Sequence, residues 1–554
     1  MDDAPLTAEE LSSELIGLGK DDRKLKKMQL YIGIGVAALI VILIIIIIII
    51  ASSGGGESEN GPSNLPVYGI IKCIYDVGST GSTKLLGDEF TKSFEIDIFV
   101  DGKVQKFAKD YKFNSTGYHE VQFKILSGSG VNLDYMFKGV EDLTTIEMNA
   151  NQKCEITSMI STFENCYDLF FFNLTGFDGS QIKSMHKLFY ASGIQDFYFN
   201  SFNTENLEDI SYMLASSSIT ELNLKGINTG KVTNMSHLFD NCYSSESFNF
   251  SSIDTSSVVD MSYMFQGNSA MKDLFLSDFK TEQVKSMKGL FKDCISLTNL
   301  DVSSFDTNNV EDMSYMFDSC FALEYLDLSK FSTPNLKNME YMFRWCNEIG
   351  EINLNTFDTK NVESTAGLFY SCSSLFEIDI SGLDLQNNKD MSYMFFGCQF
   401  LSYIRFGNIN TAKVENMTNL FAQCNILYSL DLSKFDTSNV VDMSFMFLDC
   451  TQLTSLDVSK FNTEKVVDMS YMFESCNSLT SLNIRNFRTE KVTDMTKMFE
   501  FLTLSSLDVS SFDTSNVISM LDMFAEMYNV EKLDVSSFRT GNVKDMAGMF
   551  YSCT

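Results

Sequence analysis

Histidine is almost missing from this chain of 554 residues, which holds only His119, His186 and His237. So few imidazoles leave little material for general-base catalysis. The 13 cysteines form no CxxC pair and no cluster with histidine, so the sequence predicts no zinc site. It also contains no nucleophile–base motif and no phosphate-binding loop. These absences predict a protein that is not an enzyme and needs no cofactor or metal.

Basic residues are also scarce, because 41 Lys and Arg stand against 73 Asp and Glu. The net charge of −32 would repel a phosphate backbone, so no nucleic-acid partner is expected. Proline, with 4 residues, is too rare for a long disordered stalk. Hydrophobic residues make up 44% of the chain, which is enough to bury a large core.

One long stretch carries no charge at all. It runs over residues 30–51, from Leu30 to Ala51. As a helix it would be about 33 Å long, enough to span a bilayer, whereas a cleaved signal peptide has a shorter apolar region of about 7–15 residues. We therefore predict a transmembrane signal-anchor helix.

The charges that flank this stretch predict its orientation. Basic residues precede it, namely Lys20, Arg23, Lys24, Lys26 and Lys27. The Gly-, Ser- and Glu-rich linker predicted at residues 52–65 has no cation. The positive-inside rule then makes residues 1–29 a cytoplasmic tail and places the rest outside a single-pass plasma-membrane anchor.

Cysteine and phenylalanine both recur at a fixed spacing. The cysteines at 26-residue intervals are Cys294, Cys320, Cys346, Cys372, Cys398, Cys424, Cys450 and Cys476. The phenylalanines at 25–26-residue intervals are Phe137, Phe163, Phe189, Phe239, Phe265, Phe291, Phe317, Phe343, Phe369, Phe395, Phe421, Phe447, Phe473, Phe499, Phe524 and Phe550, and Leu214 fills the remaining slot. Such a period is typical of a solenoid, here of about 17 coils over residues 129–554.

Each coil is predicted to contain a strand, a turn and a short helix. LTSLDVS at 453–459 alternates as a half-buried strand, with Leu456 and Val458 inward. Five residues before each Phe lies Asp, Asn or Ser, the residues that best cap a helix N-terminus. The predicted fold class is therefore an α/β repeat, a leucine-rich-repeat-like solenoid.

The whole unit FDTSxVxDMSxMFxxCxxLxxLDLS resembles the repeat of BspA-like leucine-rich-repeat surface proteins, first catalogued as a domain of unknown function in mycoplasma lipoproteins. The resemblance covers about three quarters of the chain. It implies surface display and a role in adhesion or recognition, and it supplies no catalytic residues. The predicted N-terminal transmembrane helix departs from that pattern, since it replaces a lipoprotein signal or a wall anchor.

Residues 66–128 do not follow the repeat. Their alternating segments predict a β-rich domain that caps the first coil, as the end of a solenoid requires. The Asp101-Gly102 pair between two such segments indicates a hairpin.

The outward strand positions supply the candidate ligand-binding residues. Most hold Ser, Asp or Asn, and the exceptions are Tyr325, Tyr403, Arg405 and Arg485. Tyr and Arg are enriched at binding hot spots, although ordinary surface variation explains them as well. Trp345, the only Trp, is either an exposed anchor or packed at a coil edge. The outward Asp column favours spacing for solubility over a calcium site, because Asn or Arg interrupts it after at most two Asp.

Covalent modification is also predicted. The cysteine column is expected to pack inward, and free thiols are favoured over disulfides between neighbouring coils, although both remain open. Cys73 and Cys154 lie off the column and are a candidate disulfide. Asn114, Asn173 and Asn249 are the candidate glycosylation sites, because the sequons at Asn234 and Asn416 fall at predicted helix caps.

Two functions remain open on this evidence. The first is a membrane-anchored adhesion or recognition protein, a glycoprotein that binds protein or glycan ligands through its solenoid. The alternative is a structural surface coat that self-associates, with the open C-terminal end meeting a second copy. Variable outward columns would favour recognition, and uniform columns would favour a coat.

Overall fold

The computed structural model describes residues 63–219, 222, 224–245, 248, 250 and 253–553. The predicted cytoplasmic tail at 1–29 and transmembrane helix at 30–51 lie outside these residues, as does most of the predicted linker at 52–65. In the described part, no helix is long and apolar enough to cross a membrane.

Six short strands build the region before the repeat. They are β1 (Gly69–Val77), β2 (Ser82–Lys84), β3 (Ile96–Val100), β4 (Lys103–Gln105), β5 (Asp110–Lys112) and β6 (Gly117–Ile125). Strand β6 pairs antiparallel with β1 and β3, and β3 pairs antiparallel with β4. Asp101 and Gly102 connect β3 to β4 with φ of 47° and 76°, as a tight hairpin turn requires. The predicted hairpin is confirmed.

This antiparallel sheet passes directly into the repeat. The next strands are β7 (Val131–Asn132), β8 (Leu143–Ala150), β9 (Ile156–Ser158), β10 (Phe171–Thr175) and β11 (Asp196–Asn200). Strand β8 pairs antiparallel with β1 on one side and parallel with β10 on the other. The result is one seven-stranded sheet in the order β11-β10-β8-β1-β6-β3-β4. Strand β1 thus covers the edge that the first coil would otherwise expose.

Later coils contribute only short strands. They are β12 (Asp273–Phe275), β13 (Asn299–Asp301), β14 (Glu377–Asp379), β15 (Tyr403–Arg405), β16 (Ser429–Leu430), β17 (Ser455–Leu456), β18 (Ser506–Leu507) and β19 (Lys532–Leu533). They pair parallel with the strand one coil away, as in β14 with β15 and β16 with β17. A solenoid of stacked coils is therefore confirmed.

The prediction of a short helix in each coil is wrong. The DMSxMF segments are turns, and the part of the chain described contains no helix. Tyr315 and Phe317 donate their N–H groups to carbonyl oxygens of the next coil, both at 2.9 Å. Met316 and Asp318 instead donate back within their own turn, at 3.2 and 3.1 Å. Because alternate N–H groups bond to the neighbouring coil, they are not available for the i to i−4 pattern of a helix.

Two residues of each coil have left-handed backbone geometry, which also prevents a helix. They lie two positions before and two positions after the repeated Phe, for example Tyr315 (φ 59°) and Ser319 (φ 63°). A left-handed non-glycine residue costs about 1–2 kcal/mol. The hydrogen bonds between coils offset this cost, so the geometry persists along the whole stack.

The residues predicted as helix caps form the most regular line of contacts between coils. Parallel bridges join 15 of them in an unbroken column from Ser184 to Asp545. The structure thus supports about 15 turns and not the 17 predicted. Their side chains do accept backbone N–H groups, as in Asp312, whose Oδ1 accepts the N–H of Ser314 at 2.8 Å. The prediction that these side chains accept backbone N–H groups is confirmed, but the hydrogen bonds close a turn and do not cap a helix.

The repeated Phe residues form the core. From Phe265 to Phe550 their rings stack with centroids 5.5–5.9 Å apart. Phe447 is completely buried, as are Met446 and Val440 of the same coil. Stacking buries an apolar face that a single coil would expose to water.

Two further columns hold neighbouring coils together through side chains. The buried hydroxyl of Thr437 donates to the carbonyl of Asn462 at 3.0 Å and accepts the N–H of the same residue at 2.8 Å. The thiol of Cys450 donates to the carbonyl of Phe421 at 3.1 Å. All 13 cysteines are free, so the predicted column of inward free thiols is confirmed. Burial raises the pKa of Cys450 to about 12, which keeps this thiol protonated.

Candidate functional site

The outward face of the strands, here called the strand face, carries several large exposed aromatic side chains. Tyr325 is 74% exposed and Tyr403 is 48% exposed. Three further aromatic residues, which were not predicted, lie in the same coil as Tyr403 or in an adjacent coil. Phe376 and Phe400 are each 58% exposed and Tyr428 is 52% exposed. Leaving so much apolar surface in water is unfavourable unless a partner covers it.

Four of these residues define what we call the aromatic site: Phe376, Phe400, Tyr403 and Tyr428. Strand β14 follows directly after Phe376 and pairs in register with β15, so that Glu377 lies opposite Tyr403. The next coil begins its strand, β16, directly after Tyr428. Three consecutive coils therefore present exposed aromatic rings on one face. A depression of about 230 Å³ lies beside Tyr403.

The aromatic site is flanked by charged groups of both signs. Arg405 lines the depression and reaches Asp379 of the previous coil, with Nη1 and Oδ2 3.5 Å apart. Asp431 and Lys434 line the same depression. Hydrogen bonds from Ser433, and then the charge of Lys434, lower the pKa of Asp431, so this carboxylate is ionised at neutral pH. Two cations and two anions thus lie at or beside the depression next to Tyr403, and Glu377 opposite Tyr403 is a third anion.

The interior of the same coils also departs from the repeat. Asn388 occupies a position that holds Val in most coils, and it is completely buried. Its amide lies 3.3 Å from the hydroxyl of Thr365, which replaces the usual Met. With its oxygen toward Thr365, the amide also accepts the Thr365 N–H at 3.1 Å and donates to Asp390 at 3.0 Å. Leu385 replaces the Thr that elsewhere bonds to the next coil. Residues 364–410, here called the irregular coils, thus differ from the repeat both inside and outside.

The remaining predicted ligand residues lie elsewhere. Arg485 is on the strand face but three coils beyond Arg405, and its Nε donates to Asp508 at 2.8 Å. Trp345 follows the turn segment of its coil and has a left-handed φ of 57°. The guanidinium of Arg344 lies 4.6 Å from the Trp345 ring, which is 38% exposed. The structure therefore brings together Tyr403 and Arg405, while Tyr325, Arg485 and Trp345 are separate.

The outward Asp column has a local structural role. Asp457 accepts the N–H of Ser459 at 3.0 Å, and this bond together with the Ser459 hydroxyl lowers its pKa. The same turn recurs at Asp431 and Asp508. Over the described residues, no group of three or more His, Cys, Asp and Glu side chains is placed to hold a metal ion.

The predicted disulfide is not formed. Cys73 and Cys154 are both buried free thiols. Cys73 lies in β1 opposite Val121 and Ile146, where it fills the core of the sheet. The thiol of Cys154 instead faces the carbonyl of Ser127 at 3.6 Å. The two cysteines lie off the column because each packs in a different place, and not because they pair with each other.

The predicted glycosylation sites differ in accessibility. Asn114 is exposed on the bend between β5 and β6. Asn173 lies in β10, where its side chain accepts a hydrogen bond from Asn200 at 2.8 Å and is only partly exposed. Asn249 lies outside the described residues. Of the two sites that the structure describes, Asn114 is thus more accessible than Asn173.

His119 is the one place where an Asp–His–Ser arrangement occurs among the described residues. Its Nδ1 lies 2.8 Å from Asp101, and its Nε2 lies 3.3 Å from the Ser115 hydroxyl. Nε2 is closer, at 3.0 Å, to the Ser115 carbonyl oxygen, which can only accept a hydrogen bond. These contacts tie the loop before β6 to the turn between β3 and β4.

Comparison with known proteins agrees with the repeat geometry. The model of the family described as "Mycoplasma protein of unknown function, DUF285" matches residues 131–251, 233–349, 298–404, 390–500 and 478–554. The chain belongs to this family. The matches run through the solenoid, and the resemblance to BspA-like repeat proteins is confirmed. Family membership identifies the repeat and assigns no activity.

Other comparisons add little. No curated protein matches the chain. A solved structure titled "Crystal structure of TLR13-ssRNA13 complex" is 14% identical, and the match covers 72% of this chain and 78% of that one. Its TM-score of 0.15 is too low for this likeness to carry an argument about fold or function.

Proposed function

We propose that this chain is a membrane-anchored cell-surface protein whose solenoid serves adhesion or recognition. The observation that carries the proposal is the aromatic site. Its rings stand half-exposed in columns that hold mostly Ser, Thr and Glu in other coils, and interaction surfaces are enriched in aromatic residues and Arg. Membership of a repeat family adds support, since solenoids provide long surfaces for binding.

Membrane attachment rests on the sequence before the described residues. The uncharged stretch 30–51 follows the basic cluster at 20–27, and this order supports a cytoplasmic N-terminus. A full-length chain with a C-terminal epitope tag, expressed in eukaryotic cells, tests the arrangement. An antibody added to intact cells should bind the tag, and external protease should remove it. A tag that becomes accessible only after permeabilisation would refute surface display.

Glycosylation gives an independent check on the same topology. Asn114 is exposed, so a chain that passes through the secretory pathway should carry a glycan there. Treatment with an endoglycosidase should reduce the apparent mass of the parent chain. The Asn114→Gln variant should show a smaller reduction, whereas a parent chain with no reduction would argue against export.

Recognition itself is tested with the purified full-length chain in detergent micelles. It is applied in parallel to arrays of extracellular proteins and of oligosaccharides. Saturable binding to members of either class supports a recognition function. A chain that binds neither class, although it is folded by circular dichroism, would leave no ground for the proposal.

A further inference from the structure

We propose that the aromatic site binds a neutral oligosaccharide chain, with Phe376, Tyr403 and Tyr428 as the stacking platforms and Arg405, Asp379, Asp431 and Lys434 as partners for its hydroxyl groups. This inference rests on the proposed recognition function and names the class of ligand. Four observations support it: the exposure of the rings, their spacing, the presence of charges of both signs and the unusual interior of the same coils.

The rings are free to accept a ligand. No ring contact joins Phe376, Tyr403 and Tyr428 to one another among the described residues, whereas core rings of the same coils stack closely. Each is about half exposed. An aromatic face in water attracts the C–H face of a sugar ring, since both are apolar while the sugar's hydroxyl groups point outward.

The spacing of the rings favours a chain over a single sugar. Phe376 and Tyr428 occupy the same outward column two coils apart, with Ser402 between them. Parallel strands are roughly 4.8 Å apart, so these two positions are separated by roughly 10 Å along the stack. Tyr403 lies between them in the neighbouring column. One sugar ring cannot cover both outer positions, but successive sugars of an extended chain can.

The charges favour a neutral ligand. Arg405 and Lys434 offset Asp379 and Asp431, and Glu377 opposite Tyr403 adds one further negative charge. The whole chain has a charge of −32 and presents Asp on the same face in nearby coils, such as Asp457. A polyanion would be repelled by these neighbours, and a polycation would be drawn to them and not to this site. Paired charges instead offer donors and acceptors side by side, which suits hydroxyl groups.

The separation of the rings also argues against a protein ligand. Protein interfaces centre on a continuous apolar patch that excludes water. Here Ser402 separates Phe376 from Tyr428 in their column, and no ring contact joins the three rings among the described residues, so the apolar groups are discontinuous. The C–H faces of successive sugars in a chain are discontinuous in the same way. The irregular coils that carry Phe376 and Tyr403, with the buried Asn388–Thr365 pair, depart from the repeat, as functional segments commonly do.

The test uses the purified full-length chain and three sets of probes. The first is neutral oligosaccharides, namely fragments of glucan, chitin, mannan and galactan. The second is sialylated and sulfated oligosaccharides, and the third is extracellular proteins stripped of their glycans by enzymes. We expect saturable binding to at least one neutral oligosaccharide and no stronger binding to the other two sets.

Matched variants locate the binding. Tyr403→Ala and Phe376→Ala should each weaken binding by at least about 10-fold, the loss typical of a hot-spot residue. Tyr403→Phe keeps the ring and should retain most of the affinity. Phe275→Ala is the control, because Phe275 is 64% exposed on the strand face five coils away. It should change the affinity by less than about 2-fold.

Each contrary result points to a different error. Binding of deglycosylated proteins alone, lost in Tyr403→Ala, would keep the recognition function and refute the sugar. Preference for the acidic sugars would refute the charge argument. Neutral sugar binding that is equally strong in Tyr403→Ala and Phe376→Ala would refute this site. Binding to none of the probes would contradict the proposed function as well as this inference.

Discussion

The residue directly after the repeated Phe carries opposite charges in one stretch of the stack and like charges in another. In the first stretch Lys292, Asp318 and Arg344 alternate in sign over three coils. In the second, Glu474 and Glu500 are neighbours with Lys497 as the cation between them. The backbone is the same in both, so the difference shows what side-chain charge contributes at a fixed position.

Alternating charges allow complete burial of an ion. The carboxylate of Asp318 has no solvent exposure, yet Arg344 holds it with two hydrogen bonds of 2.8 and 2.7 Å, and Lys292 lies 3.2 Å away. Like charges have the opposite effect. Burial and the charge of Glu500 raise the pKa of Glu474 to about 7, so this carboxyl is partly protonated at neutral pH.

The largest expected effect comes from breaking the alternation. Asp318→Ala leaves Lys292 and Arg344 facing each other without their shared anion, and it should destabilise the surrounding coils by about 3–5 kcal/mol. Amide hydrogen exchange should show the loss in the neighbouring coils. Asp318→Asn keeps the shape and should lose less. A variant as stable as the parent would mean that the buried ion pair contributes nothing.

A smaller effect is expected from changing the geometry of one cation while keeping its charge. Arg344→Lys removes the two-pronged hydrogen bond to Asp318 and the stacking of the guanidinium on Trp345, 4.6 Å away. We expect a loss of about 1–2 kcal/mol in thermal melts. Lys337→Arg, at an exposed ion pair with Glu311, is the matched control and should be neutral. Equal results for both would show that charge alone matters at Arg344.

In the like-charge stretch, the effect depends on pH. The pKa of Glu474 is about 7 when folded and near 4.5 when exposed, so the folded state binds more protons between these values. Its contribution to stability is therefore greatest below pH 4.5 and decreases as the pH rises to about 7. Glu474→Gln should remove this decrease and stabilise the chain by about 1 kcal/mol at alkaline pH, after allowing for solvent screening.

Melting temperatures across a pH series provide the measurement for this variant. The parent and Glu474→Gln should have similar stability in acid, diverge between about pH 4.5 and 7, and keep a nearly constant difference at higher pH. Glu464→Gln, at an exposed position, should follow the parent throughout. A constant difference at every pH would mean that Glu474 does not titrate in this range.

The sequence predicted the stack well because a solenoid is nearly one-dimensional. Every coil repeats the same inward positions, so the core positions of Phe447, Val440 and Cys450 follow from periodicity alone. The helix was wrong because a helix cap and a closed turn use the same chemistry, an Asp or Asn oxygen that accepts a nearby N–H. Glycine, which readily adopts left-handed geometry, occurs at some of the left-handed positions, for example Gly367 and Gly397. This is the sequence signal that distinguishes a turn from a helix here.

The aromatic site was only partly predictable. Tyr403 and Arg405 were singled out because they replace Ser and Asp in outward columns. Phe376, Phe400 and Tyr428 were missed, since the neighbouring outward columns were treated as uniform. No rule about surface residues identifies such a group until the coils are stacked in register. Substitutions inside the same coils, such as Asn388 for Val, would have directed attention there.

The smallest effect is expected at a carboxylate outside both stretches. Asp457 is exposed in the outward strand column, and its hydrogen bond to the N–H of Ser459 closes a local turn. Water can replace that bond, so Asp457→Ala should cost about 0.5 kcal/mol or less. Phe447→Ala provides the contrast, because emptying a fully buried position should cost about 3–5 kcal/mol. Thermal melts of the two variants measured side by side test the assignment of inward and outward faces. If Asp457→Ala lost as much as Asp318→Ala or Phe447→Ala, the outward column would be buried against something, and the exposure on which the aromatic site depends would have to be reconsidered.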